Sequence, residues 1–242
     1  MTDRPDPEEA ALEIQREHFP DCLVLFLSGS VITGQATATS DLDIVVFFDS
    51  LESASRKSFF HRGWPVETFL HDRKSFQFFC AMDGKAGRPF LANMVVTGIA
   101  LPEENDFSRA VVADARRFLD AGPAPLSRSE LDRRRYSITN HLDDIREPRS
   151  RSELYASGAR LLEELSDFYF RSHGLWSASH KSIIRALDAA DAGLCARFES
   201  AFDSLFRLGQ SDETIAIGEE ILTPFGGRLF DGYSDTAPPG PA

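Results

Sequence analysis

The chain has 242 residues, 42% of them hydrophobic, and a formal net charge of −12. That length holds one large domain or two smaller ones with a packed core, and the acid excess argues against nucleic acid as a partner, because sequence-independent binding rests on Lys and Arg neutralising phosphates. No apolar run approaches the roughly 20 residues that span a bilayer. The Asp-, Glu- and Pro-rich start Met1–Glu9 lacks the blocks of a leader, and Cys22, Cys80 and Cys195 are too scattered for a disulfide framework or a cysteine zinc site, so a soluble cytoplasmic chain with no membrane partner is expected.

In chain order, Pro7 to Phe19 carries Ala11, Leu12, Ile14 and Phe19 at helical spacing, and strands are expected near Leu23–Ser28, Asp41–Phe48 and Pro65–Leu70. Ser58 to Arg62 reads as a connection, because His61-Arg62-Gly63-Trp64-Pro65 is turn chemistry ahead of a strand that begins at proline. Asp72 can cap a helix to Asp83 with Phe76, Phe79, Cys80 and Met82 in register; a short helix over Pro89–Val96 and a strand over Thr97–Leu101 follow. Strands alternating with helices imply an α/β core. After Pro102-Glu103-Glu104-Asn105 the pattern becomes long and amphipathic. Val111, Val112, Ala115, Phe118 and Leu119 form one stripe ended by Gly122-Pro123, and Ser127 with Glu130 is a capping box for a helix to about Ile145. Ser152–Phe170, Ser179–Ala189, Ala192–Leu208 and Asp212–Leu222 complete a bundle of five or six helices. The expected division is therefore 1–105 for the α/β part, 106–233 for the helical part and a Pro-rich disordered tail over 234–242.

The chemistry concentrates at the first two strands. Leu25-Phe26-Leu27 runs into Ser28-Gly29-Ser30, and ten residues later Asp41-Leu42-Asp43-Ile44 opens the next strand. Residues i and i+2 of a strand share a face, so Asp41 and Asp43 stand together while Leu42 and Ile44 enter the core. Two such carboxylates repel unless a cation lies between them, and a hard divalent ion such as Mg²⁺ takes oxygen ligands of this kind. Glycine lets backbone approach a phosphate, and a helix starting near Ser30 would add its N–H groups. The plainer alternative for the aspartates is a solvated strand entry.

These residues resemble the signature of the nucleotidyltransferase superfamily, of DNA polymerase beta-like fold: an apolar residue, glycine, then Gly or Ser, a gap of nine to thirteen residues, then carboxylate, apolar, carboxylate, apolar. Ser28 stands where that signature has an aliphatic residue. The resemblance implies a third carboxylate from a later strand, and Glu67 in Val66-Glu67-Thr68-Phe69-Leu70 fits. Asp49 and Asp72 compete for that place; Asp49 lies at the far end of its strand, about 20 Å along at about 3.3 Å per residue. The resemblance further implies a mixed-sheet core followed by helices, as in enzymes that adenylylate small molecules, aminoglycosides among them. Mg²⁺ or Mn²⁺ would sit on Asp41, Asp43 and Glu67, with ATP or another NTP as donor and Gly29 and Ser30 on its phosphates. The acceptor would be a hydroxyl-bearing small molecule, entering between the two parts. Glu67 is either the general base or a third metal ligand.

The helical part has less specific candidates. Lys181 and Arg185 lie one turn apart near Trp176, and Lys181 could meet a triphosphate. Arg135 and His141 bracket five residues, as in helical ribonuclease domains that partner minimal nucleotidyltransferases, while Asp143 and Asp144 could hold acceptor amino groups. Two other readings therefore stand beside the enzyme: a catalytically silent, antitoxin-like regulator and a fused ribonuclease partner. The 20 phenylalanines suit a core or a dimer surface, which leaves monomer and homodimer open.

Overall fold

The computed structural model describes residues 4–236, which fall into two units, Met1–Pro123 and Ala124–Ala242. The first opens with helix α1 (Pro7–His18). Proline occupies its first turn and Asp6 caps it, accepting from the Glu8 N–H at 2.9 Å. Strands β1 (Val24–Ser28), β2 (Leu42–Phe47), β3 (Ser55–His61), β4 (Trp64–His71) and β5 (Ile99–Leu101) form one mixed sheet in the order β3-β4-β2-β1-β5. β2 and β4 run parallel and the other neighbours antiparallel.

Alternation sorts the apolar side chains to two faces. Leu25, Leu27, Leu42, Ile44, Val46 and Val66 pack with Ala10, Ala11 and Ile14 of α1. Val24, Phe26, Val45 and Phe47 pack on the other face with helices α2 (Arg73–Ala86), α3 (Phe90–Thr97) and α4 (Asp106–Ala121). The central strands β1 and β2 are covered on both faces, which is why their sequences read as continuous apolar runs.

Three expectations change. Residues 55–61 form an edge strand, β3, where a connection was expected over Ser58–Arg62. Ser55 to Ser58 are exposed, so no buried alternation marks the strand. Arg62 and Gly63, at φ 45° and 86°, make the two-residue turn to β4, and His61 pairs with Trp64. No helix starts at Ser30: residues 30–34 are turn, closed by Ile32 N–H on the Gly29 carbonyl (3.3 Å) and Gln35 N–H on that of Ser30 (3.0 Å). Helix α4, expected in the helical part, buries Val111 and Ala115 against the sheet-side cluster, and Arg73 of α2 pairs with its Asp114 at 2.8 Å, so the first unit runs to Pro123.

The second unit contains α5 (Arg128–Arg146), α6 (Arg151–Ser172), α7 (Ser182–Ala190), α8 (Ala192–Leu208) and α9 (Asp212–Leu222), with a 3₁₀ turn at Thr223–Phe225. Their apolar stripes meet in one core that includes Ile138, Leu142, Leu161, Leu165, Phe168, Phe198 and Leu222. Beyond the 3₁₀ turn the chain lies along α5, where Tyr136 stacks on Tyr233 at 4.1 Å between ring centres and Thr139 Oγ1 accepts the Leu229 N–H at 2.9 Å. Of the tail expected to be disordered, 237–242 lies outside the described residues, and Asp235 stands 3.4 Å from Arg133 Nε. Cys80 and Cys195 are buried thiols and Cys22 is half-buried. Among the described residues no helix is long and apolar enough to cross a membrane.

Candidate active site

Strand register assembles the site. Ser28 of β1 pairs with Asp43 of β2, and Asp43 pairs with Glu67 of β4, so three adjacent strands place these residues side by side. Period-two alternation then puts Asp43 and Glu67 on the same face as Val45 and Phe69, the face covered by the later helices. Asp41 lies just before β2. Carboxylate oxygens of Asp41, Asp43 and Glu67 all come within 4.8 Å of one another, each residue half-buried. The three acids expected to converge do converge.

Gly29 is required here by shape. Its φ is +82°, a conformation side chains disfavour, and a Cβ placed on it would collide with Oδ2 of Asp43. The bare backbone turn thus presses directly against the carboxylate. Ser30, half-buried beside it, donates its hydroxyl to Ser40 Oγ at 3.0 Å, and Ser40 Oγ also accepts the Thr37 N–H at 2.8 Å. That bond closes the loop between the glycine turn and Asp41, so the position of Asp41 depends on the loop as well as the strand.

Arg56, on β3, was not among the sequence candidates. Its guanidinium pairs with Glu67 Oε2 and lies over the Phe69 ring, 5.1 Å from its centre. The hydrogen bond to Glu67 and then the charges of Glu67, Asp43 and Asp41 hold Arg56 more firmly protonated than usual. A cation on one side of three carboxylates eases their mutual repulsion. The signal available in the sequence was the Arg62-Gly63 turn: a two-residue hairpin turn before β4 requires a partner strand, and that strand carries Arg56 towards Glu67.

The competing acids have other work. Asp72 caps α2, accepting the Ser75 N–H at 2.7 Å and the Leu51 N–H at 3.2 Å, and these bonds, that from Ser75 first, hold its carboxyl below the usual range. Asp49 is exposed beyond the end of β2. Lys181 lies in the second unit, exposed at the start of α7. Arg135 is buried and structural: it donates to the carbonyls of Gly227 (2.8 Å) and Gly226 (2.7 Å) and pairs with Asp132 at 2.7 Å. His141 stands 3.7 Å from Glu164, and Asp143 pairs with Arg228.

The carboxylate donors are all oxygen and partly open to solvent, which suits a hard divalent ion with water and phosphate in its remaining positions. Comparisons with known proteins agree with the strand pattern. Residues 9–78 match the family model described as nucleotidyltransferase domain, a stretch that holds Gly29, Ser30, Asp41, Asp43 and Glu67. No curated protein matches the chain. Among solved structures it is similar to a nucleotidyltransferase-like protein from Exiguobacterium sibiricum 255-15, at 14% identity over 90% of this chain and 74% of that one, with a TM-score of 0.45. The matched stretch lies within the first unit and runs from α1 through β4 into α2, so the likeness to a nucleotidyltransferase domain covers the strands that carry the three acids.

Proposed function

We propose that the chain transfers a nucleoside monophosphate, AMP from ATP, to a hydroxyl of a small molecule of the aminoglycoside kind, with Mg²⁺ or Mn²⁺ as cofactor. The supporting observation is the meeting of Asp41, Asp43 and Glu67 beside the Gly29 turn. Asp41 and Asp43 would hold the ion, with Glu67 as a third ligand or as general base. When bound, the ion offsets charge on the phosphate oxygens and makes the α-phosphorus more electrophilic.

The chain's own groups do the rest. Gly29, lacking a side chain, admits the nucleotide phosphates close to the backbone, and the Ser30 hydroxyl turns from Ser40 to a phosphate oxygen. Glu67 as base takes the proton of the acceptor hydroxyl, whose oxygen bonds to the α-phosphorus as the bond to the β-phosphate oxygen breaks and pyrophosphate leaves. Arg56, paired with Glu67, keeps that carboxylate in place. The net charge of −12 favours a cationic acceptor.

The test is transfer of α-labelled nucleotide to pooled hydroxyl metabolites and aminoglycosides in the presence of Mg²⁺. Label should move with the wild-type chain and stop with Asp41→Ala. Transfer undiminished in that variant sinks the reading, and Mg²⁺-dependent ATP binding without transfer to any acceptor would favour the silent, regulatory role.

A further inference from the structure

A second group of metal-ligating side chains converges at the opposite end of the β3–β4 hairpin from Arg56. Glu17 and His18, in the last turn of α1, meet His61, at the end of β3, with ligand atoms all within 4.8 Å of one another. His61 is 8% exposed and fixed from behind: Glu13, one helical turn before Glu17, bonds its Nε2 at 3.0 Å. Glu13 is itself held by Arg62 at 2.6 Å.

That carboxylate orients the ring. In a metal-bound ring, Nε2–H would donate to Glu13 and Nδ1 would be the ligand atom. Nδ1 faces Glu17 Oε2 at 3.8 Å, beyond hydrogen-bond length, which leaves a gap between the two ligand atoms. The His18 ring stands edge-on to His61 at 6.3 Å and lies 4.7 Å from the Phe59 ring, which backs it.

We propose that Glu17, His18 and His61 bind Zn²⁺, with Glu13 orienting His61. Two imidazoles and a carboxylate, with a fourth position for water, make a recognised zinc donor set, and a carboxylate on the far ring nitrogen is the usual support of a zinc-bound histidine. Imidazole nitrogen favours zinc over Mg²⁺, whereas the all-oxygen group at Asp41, Asp43 and Glu67 favours the hard ion, so one unit would sort two metals by donor chemistry. The zinc fastens the end of α1 to the hairpin.

Calorimetric titration of the full chain with Zn²⁺, repeated on Asp43→Asn, decides it. One equivalent should bind to both, because the site does not share ligands with the carboxylates. His18→Gln, a change at an exposed residue that leaves the fold intact, should weaken binding roughly tenfold or more, and Glu13→Gln about tenfold. Co²⁺ should give the visible absorption of a low-coordinate site in the wild type and lose it in His18→Gln. Failure of the wild type to bind Zn²⁺, or equal affinity in wild type, His18→Gln and Glu17→Gln, overturns the proposal; loss of Zn²⁺ binding in Asp43→Asn with retention in His18→Gln would assign the metal to the carboxylates instead.

Discussion

The carboxylate cluster of the first unit and the acids along the core of the second are arranged differently. In the second, the acids at the core margins each have an arginine: Asp132 has Arg135, Asp167 has Arg134, and Asp143 and Glu219 share Arg228. In the first, Asp41, Asp43 and Glu67 crowd together with Arg56 beside them. Matched pairs tie elements to one another, whereas crowded like charge costs stability and is kept where a ligand supplies the missing cation. Removing an acid or its partner should therefore damage structure at the pairs of the second unit and chemistry at the cluster of the first.

The widest separation is expected at Asp43. Asp43→Ala should lower nucleotide transfer about 10³-fold, or ~4 kcal/mol of barrier, while thermal melting shows no loss of stability; a melting point that falls with activity would mean the cluster is structural. Arg135→Ala should do the reverse, costing about 3 kcal/mol in urea unfolding because two carbonyls and Asp132 lose a buried charged donor, with transfer unchanged once the chain is folded. Gly29→Ala sharpens the contrast within the first unit. It should cost about 1–3 kcal/mol, more than Gly34→Ala at a similar φ of +70° with nothing near its Cβ, and the excess should vanish in an Asp43→Ala background.

The last prediction concerns pH. Burial pushes the His71 imidazole, at the end of β4, down to about 4. Because the unfolded ring binds protons more readily, stability should fall as pH drops from 6.5 towards about 4, at up to about 1.4 kcal/mol per unit, and level off below. His71→Phe should flatten that slope in melting curves recorded across the window.

Legibility followed the range of the interactions. Asp72, Ser127 and the Gly122 stop were readable because caps are made within a few residues, and Ala192–Leu208 and Asp212–Leu222 carry complete stripes between clear breaks. The edge strand β3 was not, because Ser55, Arg56, Lys57 and Ser58 face solvent and bury nothing to mark their period. Helix α4 was legible as a helix but not in its allegiance: the stripe of Val111 and Ala115 says that a partner exists, not which one. Arg56 went unseen with its strand.

The amino-acid order alone pointed to Asp41 and Asp43, two residues apart at the entry to β2, as acids that could act together, and it determined where a glycine turn would precede them. It also set the helices of the second unit through apolar spacing and caps. Only tertiary structure decided that Glu67 lies beside Asp43, that Arg56 joins them, and that Glu13 and His61 meet from residues far apart in the chain. Strand order and register arise from competition among distant hydrogen-bonding edges and apolar faces, and no local pattern encodes the winner of that competition.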